Sequence, residues 1–296
     1  KGTRSLLTVH NLPYLGQGAE GALAEFGLPP ARRSALPDWA SGLPLPLGLL
    51  TADKINTVSP GYAQEMLTPE FGAGLEEFLT TRQGDLTGIL NGLDLENWDP
   101  EKDPDLPTNY GKATLERRSE NKTRLQAELG LAIDPQTPLL AMINRMDYQK
   151  GVDLVPEALK ALRGLNWQAI LLGTGDPAME SAAERLADDY PQVAAVLKYD
   201  SALARRIYGG SDIILIPSRY EPCGLTQMIG MRYGCVPLAR ATGGLQDTIL
   251  DYHTSRSSQS TGFLFQQPSA PALAKTIKRA LEVYQDKRRW RGLQRR

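Results

Sequence analysis

The chain has 296 residues, enough for one large or two medium domains, and 41% of them are hydrophobic, which supports a sizeable core and argues against disorder. Its net charge of −1, with no long basic block before the C-terminus, argues against nucleic acid as the main partner. Two cysteines, Cys223 and Cys235, exclude a disulfide framework and a Cys-rich zinc site and fit a reducing compartment. No apolar run reaches the ~18 residues of a membrane span. The chain starts at Lys1 in what reads as a strand and stops at Arg296 in what reads as a helix, so a fragment of a longer protein is expected.

In chain order, residues 5–9 read as a strand. Residues 34–48, rich in proline and leucine, read as a loop before a helix at 47–53, and 55–58 as the next strand. Ser59 is placed to cap a helix with Pro60 at its first turn. A short strand is expected at 88–90, closed by Asn91-Gly92, and the polar stretch 97–111, with three prolines, reads as inter-domain. From there the pattern is regular. Strands are expected at 139–143, 168–172, 193–197, 212–216 and 236–239, and helices at 152–162, 179–186, 203–208, 225–233 and 245–252. Short apolar strands alternating with helices mean parallel βαβ units in a sheet covered on both faces, an open doubly wound α/β domain. The basic last ten residues, KRRWRGLQRR, read as a solvated helix end or as a site for an acidic polymer. The domains are drawn at 1–91 and 92–296.

Ligands of such sheets sit beyond the carboxyl ends of the strands. There the sequence collects His10-Asn11, Asn91, Arg145 and Lys150, Gly173-Thr174-Gly175-Asp176, Tyr199, Glu221, and Thr242-Gly243-Gly244. In NRMDYQKG, Arg145 and Lys150 put a guanidinium fork and a mobile ammonium just before a helix. That suits a diphosphate, although an ordinary charged loop reads the same way. In EPCGLTQ, Gly224 permits close backbone approach and Leu225-Thr226 open a helix whose N–H groups can hold a phosphate. Glu221 either accepts hydrogen bonds from a sugar or caps that helix. Cys223 lacks an evident histidine base, since the chain has only two histidines, so it is not read as a nucleophile. LLGTGDP is neither GxGxxG nor a Walker loop and reads as a tight turn, while Thr242-Gly243-Gly244 form an anion nest. Asp103 and Asp105 allow a metal pair but read as a turn, and no HExxH stretch supports a catalytic zinc. His10 alone reads as a structural histidine, and Tyr199 alone as core.

Taken together, HNL, VSPGYA, LNGLD, RMDYQKGVDL, GTGDP, PSRYEPCGLTQ and RYGCVPLARATGGLQDT occur in the order and spacing of one family. The chain resembles the bacterial glycogen synthases and plant starch synthases, glycosyltransferase family 5. That resemblance implies the GT-B fold, two Rossmann-like domains with a cleft, the first incomplete in this chain. It implies retaining transfer of glucose from ADP-glucose to the non-reducing end of an α-1,4-glucan. No metal or other cofactor, no nucleic acid and no membrane are implied, in the cytoplasm or, for a plant chain, in the plastid. Arg145 and Lys150 match the family's diphosphate pair, Glu221 the acid on the glucose hydroxyls, and His10, Asn11 and Asn91 polar contacts of the same sugar. Leu225 and Thr226 match the helix start at the phosphates, with Gly173, Cys223 and Gly224 counted among the binding residues. Tyr199 matches the aromatic beside the adenine.

The chain also departs from the pattern. A lysine-glycine-glycine loop and a closing C-terminal helix are missing, and Pro13 and Leu15 replace the usual Ala and Gln. The chain by itself is therefore expected to bind ADP weakly, to transfer no glucose and to associate readily. A sucrose- or trehalose-type synthase is the rival enzyme; the wording EPCGLTQ and TGGLQDT counts against it. A non-catalytic glucan-binding relative would have lost Arg145, Lys150 or Glu221, and all three are present.

Overall fold

The computed structural model describes residues 2–28, 35–253 and 259–296. It divides into two compact units, Lys1–Asn91 with Glu221–Cys223, and Gly92–Tyr220 with Gly224–Arg296. Among the described residues no helix is long and apolar enough to cross a membrane.

The first unit runs β1 (Leu6–Val9), α1 (Glu20–Glu25), α2 (Pro44–Thr51), β2 (Lys54–Thr57), α3 (Pro60–Glu65), α4 (Glu76–Thr81) and β3 (Leu86–Gly88). Its three strands pair in parallel in the order β1-β2-β3, with Val9 opposite Thr57 and Thr57 opposite Gly88. The strands thus end level with one another. The Thr57 hydroxyl donates to the Val9 carbonyl at 2.7 Å and fixes that edge. Ser59 caps α3 as expected: its backbone is extended, its Oγ accepts from Tyr62 N at 3.0 Å, and Pro60 holds the first position.

Two expectations shift here. The helix expected at 47–53 begins at Pro44, inside the supposed loop, because Leu43 is an extended N-cap and Pro44 sits where a missing N–H costs nothing. Ser34, at the start of that loop, lies outside the described residues. The strand expected at 88–90 is β3, two residues earlier. Ile89 still donates to Thr57 O at 2.8 Å, but β2 has ended, so Ile89 and Leu90 have no strand to pair with and are exposed.

The second unit comprises α5 (Arg118–Glu128), β4 (Leu139–Ile143), α6 (Leu154–Lys160), β5 (Gln168–Leu172), α7 (Pro177–Asp189), β6 (Val193–Val196) and α8 (Ser201–Gly210). It continues with β7 (Ile213–Ile216), α9 (Thr226–Arg232), β8 (Val236–Arg240), α10 (Gly243–Thr248), β9 (Phe263–Phe265), α11 (Ala270–Gln285) and α12 (Lys287–Gln294). Six parallel strands lie in the order β6-β5-β4-β7-β8-β9. Succession thus reverses between β4 and β7, the switch point at which open α/β sheets bind ligands. One core packs α6, α7, α11 and α12 on one face through residues such as Val155, Leu186, Ile277 and Trp290. The other packs α5, α8, α9 and α10 through Leu125, Ile207, Ile229 and Leu245. Covering on both faces is why Ile213–Ile216 is apolar at every position rather than alternating.

The stretch 97–111, expected as inter-domain, is instead a strap packed on this unit. Asp103 ion-pairs with Arg205 at 3.0 Å and accepts from the Tyr233 hydroxyl. Asp99 pairs with Arg232 at 2.9 Å, and Tyr110 Oη donates to Tyr233 O at 2.8 Å. These distant partners, invisible in the local composition, outweigh the prolines. The helix expected at 245–252 is α10, shifted to Gly243–Thr248. It stops because Asp251 is drawn to β9: its Oδ1 accepts from Leu264 N at 2.7 Å and pairs with Arg279 at 2.6 Å. The basic C-terminal run is not wholly solvated either, since Trp290 and Leu293 bury one face of α12 in the core.

The Asp103 side chain is fully buried, so removing it leaves the Arg205 guanidinium without its main counter-charge. Asp103→Ala is expected to lower stability by about 3 kcal/mol. Urea unfolding of the two proteins checks this, and equal midpoints would show that the strap is merely draped over the surface.

Candidate active site

The site of the second unit begins with the two loops that follow β4 and β5. Past the strands the chains stay laced together. Asn144 N donates to Leu172 O at 3.1 Å, Met146 N to Thr174 O at 3.0 Å, and Asp176 N to Met146 O at 2.7 Å. Gly173 is required there, since a Cβ on it would strike the Asn144 carbonyl. The turn is closed from α7 by Glu180, whose carboxylate accepts from Thr174 Oγ1 at 2.6 Å and Gly175 N at 2.7 Å. The Thr174 hydroxyl, then the Gly175 amide, hold the Glu180 carboxyl below its ordinary pKa. Sequence reading passed over Glu180; its one signal is an acid in the first turn after a glycine-rich loop.

Beside this turn lies a slot of about 300 Å³, bounded by Trp98, Arg145, Leu172, Gly173, Tyr199 and Tyr208. Tyr199 was expected in the core on its own merits; it is 87% exposed and stands at the rim. An exposed aromatic ring at the carboxyl end of β6 buries nothing of the protein and is available to stack on a ligand. Trp98 was missed, because it falls in the stretch taken for a linker. Arg205 holds it, its guanidinium carbon 4.3 Å from the ring centroid, and Tyr208 meets it edge-on at 6.1 Å. Asn144, also in the wall, has its Nδ2 buried with no acceptor among the described residues.

The cationic loop follows directly. Arg145 is largely exposed and pairs with Asp147 at 3.1 Å. The Lys150 backbone N–H donates to Asp147 Oδ1 at 2.9 Å, so one carboxylate shapes the turn that carries both cations. Gly151 ends it with φ +66, where a Cβ would strike the Pro217 carbonyl. That contact crosses the switch point, as do further bonds to the segment after β7. Arg219 N donates to Gln149 O at 2.7 Å. The Arg219 guanidinium binds both Asp153 oxygens, at 2.7 and 2.8 Å, donates to Tyr148 O at 2.8 Å and lies 3.5 Å from the Tyr148 ring centroid. The Asp153 carboxylate raises the Arg219 pKa, against the opposing cost of burial. Arg219 is a positioning residue that sequence reading missed; the visible signal was an arginine beside Glu221 with an aspartate after the NRMDYQKG loop.

At the head of α9, Gly224 takes a left-handed φ of +74 and Leu225 is the N-cap without a side-chain cap bond. The first N–H groups of Thr226 and its successors therefore point out of the helix end. Tyr208, from the slot wall, hydrogen-bonds the Thr226 side chain. The second unit thus brings Arg145, Gly173 and Tyr199 to one slot, keeps Lys150 on the Arg145 loop, and ties the slot to Thr226.

The remaining residues lie in the first unit. His10 is exposed just past β1, and Leu12 N beyond it donates to the buried Tyr62 hydroxyl at 3.0 Å. Asn11 Oδ1 is buried with no donor among the described residues. Asn91 is exposed past β3. Glu221 and Cys223 are buried, and the Pro222 carbonyl between them accepts from Ser59 Oγ at 2.5 Å. The α3 cap therefore also fixes the backbone that carries Glu221.

A model of the glycosyl transferases group 1 family matches residues 127–293. The chain belongs to this family. A second family model, the starch synthase catalytic domain, matches residues 1–81. A glycogen synthase of Anaeromyxobacter dehalogenans (strain 2CP-1 / ATCC BAA-258) is 45% identical over 295 residues, covering 99% of this chain and 61% of its own length. Glycogen synthase 1 of Rhizobium meliloti (strain 1021) is 44% identical over 295 residues, covering 98% and 61%. Among solved structures, the catalytic domain of starch synthase IV from Arabidopsis thaliana, bound to ADP and acarbose, superposes with a TM-score of 0.87. It is 34% identical, over 99% of this chain and 62% of that one. Sucrose-phosphate synthase from Thermosynechococcus elongatus shares the fold at a TM-score of 0.62 and 23% identity, over 98% and 61%. The resemblance to glycogen and starch synthases is thus borne out, as is the α/β fold of GT-B type. The chain spans about 61% of the length of the curated relatives it matches.

The cysteines of this family member offer no reactive thiol. Cys223 and Cys235 are buried, and burial pushes Cys235 up to about 12, with Arg118 opposing the shift. Neither is expected to react with a thiol reagent in the native protein at pH 8, whereas both should be titrated in urea. A fast native reaction would return Cys223 to the chemistry of the site.

Proposed function

We propose that the chain is the donor-binding part, with adjoining acceptor-side residues, of an enzyme that transfers glucose from ADP-glucose to the non-reducing end of an α-1,4-glucan with retention of configuration. The observation that carries this reading is the slot at the strand tips of β4, β5 and β6, with Tyr199 exposed at its rim and Arg145 on its wall. A flat apolar slot with one exposed aromatic fits a purine, and the buried Asn144 amide supplies a polar contact for it. From there the diphosphate would run past Arg145 and Lys150 to the amino end of α9 at Thr226. The 34%-identical starch synthase IV structure was determined with ADP, which supports the same nucleotide here.

In this mechanism the leaving ADP gains negative charge as the glycosidic bond to its phosphate breaks. Arg145 spreads a guanidinium fork over two oxygens and Lys150 brings a point charge. Because Asp147 and Arg219 fix the loop beforehand, little reorganisation is needed as the charge develops. Glu221 would hold glucose hydroxyls, and its backbone is pinned through Pro222 to Ser59. His10, Asn11 and Asn91 are read as sugar contacts on their motifs, and the unpartnered Asn11 Oδ1 supports a hydroxyl donor from the ligand. The diphosphate is served by side-chain cations, so no metal or other cofactor is invoked. A cytoplasmic or plastid setting goes with two cysteines that form no disulfide.

ADP titrated into this chain is expected to bind, and Tyr199→Ala to weaken it roughly tenfold through lost base stacking. In the longer protein Lys150→Ala should lower kcat by about 10²–10³, with glucan binding unchanged. Calorimetry and glucose incorporation into glycogen measure the two. Unaltered ADP affinity in Tyr199→Ala would remove the slot from the donor site. A kcat within about threefold of the parent would take the ammonium out of the transition state.

A further inference from the structure

We propose that the second unit carries a separate site for a phosphate group at the amino-terminal edge of its sheet, the edge opposite the strand tips. A cavity of about 150 Å³ lies there against the start of α5, Pro135 and Gln136 ahead of β4, Asp212 ahead of β7, and the side of α12. Four cationic side chains line it, Arg118, Lys122, Lys287 and Arg291, against two carboxylates, Asp212 and Glu116.

The inner two cations are already used. Arg118 donates to the carbonyls of Tyr208 at 3.1 Å and Ser211 at 2.5 Å. Lys122 pairs with Asp212 at 2.7 Å and donates to Pro135 O and Tyr284 Oη, both at 3.1 Å. The outer two have no carboxylate partner among the described residues. The Lys287 ammonium rests 3.5 Å from the Tyr284 ring centroid. Its burial there holds its pKa below the ordinary lysine value, and Lys122 and Arg291 push the same way against Asp212. On the same wall Trp290 is 2% exposed, and its indole Nε1–H is buried with no acceptor. An indole N–H can only donate, and a buried donor without an acceptor is rare in folded proteins.

Two cations without a carboxylate partner among the described residues, one turn apart on a single helix and on the wall of one cavity, call for an oxyanion with several acceptor oxygens. A cation is refused by the excess positive charge, and the volume admits a phosphate group but not a nucleotide. The site therefore fits inorganic phosphate or the phosphate of a monoester, with Lys287 and Arg291 supplying charge and the Trp290 ring forming part of the wall. It shares no lining residue with the slot at the strand tips.

The test follows the Trp290 indole resonance of ¹⁵N-labelled chain, assigned with Trp290→Phe, during titration with inorganic phosphate and with methyl phosphate at constant ionic strength set by chloride. Saturable movement is expected with a dissociation constant on the order of millimolar. Arg291→Gln, on an exposed position, and Lys287→Met, which keeps the stem on Tyr284, should each weaken it roughly fivefold or more, and Arg145→Ala should leave it unchanged. Tighter binding of methyl phosphate would identify a monoester as the source, and tighter inorganic phosphate the free ion. No movement up to about 50 mM, the same movement with chloride alone, or full binding by both α12 variants would overturn the site.

Discussion

The close approach of Gly173 to the Asn144 carbonyl governs the site of the second unit. Two parallel strands normally part company at their tips, because each must turn into its own helix. Here a position without a Cβ lets the chains after β4 and β5 stay bonded for three more rungs, ending in the Met146–Gly175 bridge. The slot exists because those loops continue the sheet as a floor, with Glu180 tying down the turn that follows. A floor made of backbone hydrogen bonds is rigid.

Rigidity on the other side of β4 has a different origin. The loop that carries Arg145 and Lys150 is bound to the segment after β7 by one glycine contact and one arginine. Gly151 brings its backbone against Pro217, and Arg219 binds Asp153, Tyr148 and Gln149 together. A bidentate arginine–carboxylate pair backed by an aromatic ring has the fixed geometry that isolated surface ion pairs lack. Lys150 thus sits on a loop held at both ends, as a cation must if it is to stabilise charge without the loop first being ordered.

The sheet has two chemically distinct edges. At the carboxyl ends, exposed aromatic and cationic groups stand on loops and are free of the core. At the amino ends, Arg118, Lys122 and Asp212 are buried and answered by carbonyls, hydroxyls and one another. The amino edge is part of what holds α5 and α12 to the sheet, and its residual positive charge follows from helix α12 bringing more cations than the core there can neutralise.

The local pattern of the sequence determined strands β4 to β8 of the second unit and the loops at their tips. A strand buried on both faces must be apolar at every position, and a turn into a helix must carry glycine, a cap or a proline. Those demands are met within a few residues, as in Ile213–Ile216, Ser59-Pro60 and Gly151. The short motifs around Arg145, Lys150 and Glu221 were legible for the same reason. What only the tertiary structure decided rests on partners far apart in the chain. The prolines of 97–111 suggested a linker, but Asp103 finds Arg205 and Tyr233 more than a hundred residues away and becomes a strap that delivers Trp98 to the slot. Asp251 ends α10 by reaching β9, and Tyr199 is exposed although an aromatic ring alone suggests core. Burial and pairing energies of such residues depend on which distant groups the fold brings within a few ångströms, and a window of neighbouring residues does not carry that information.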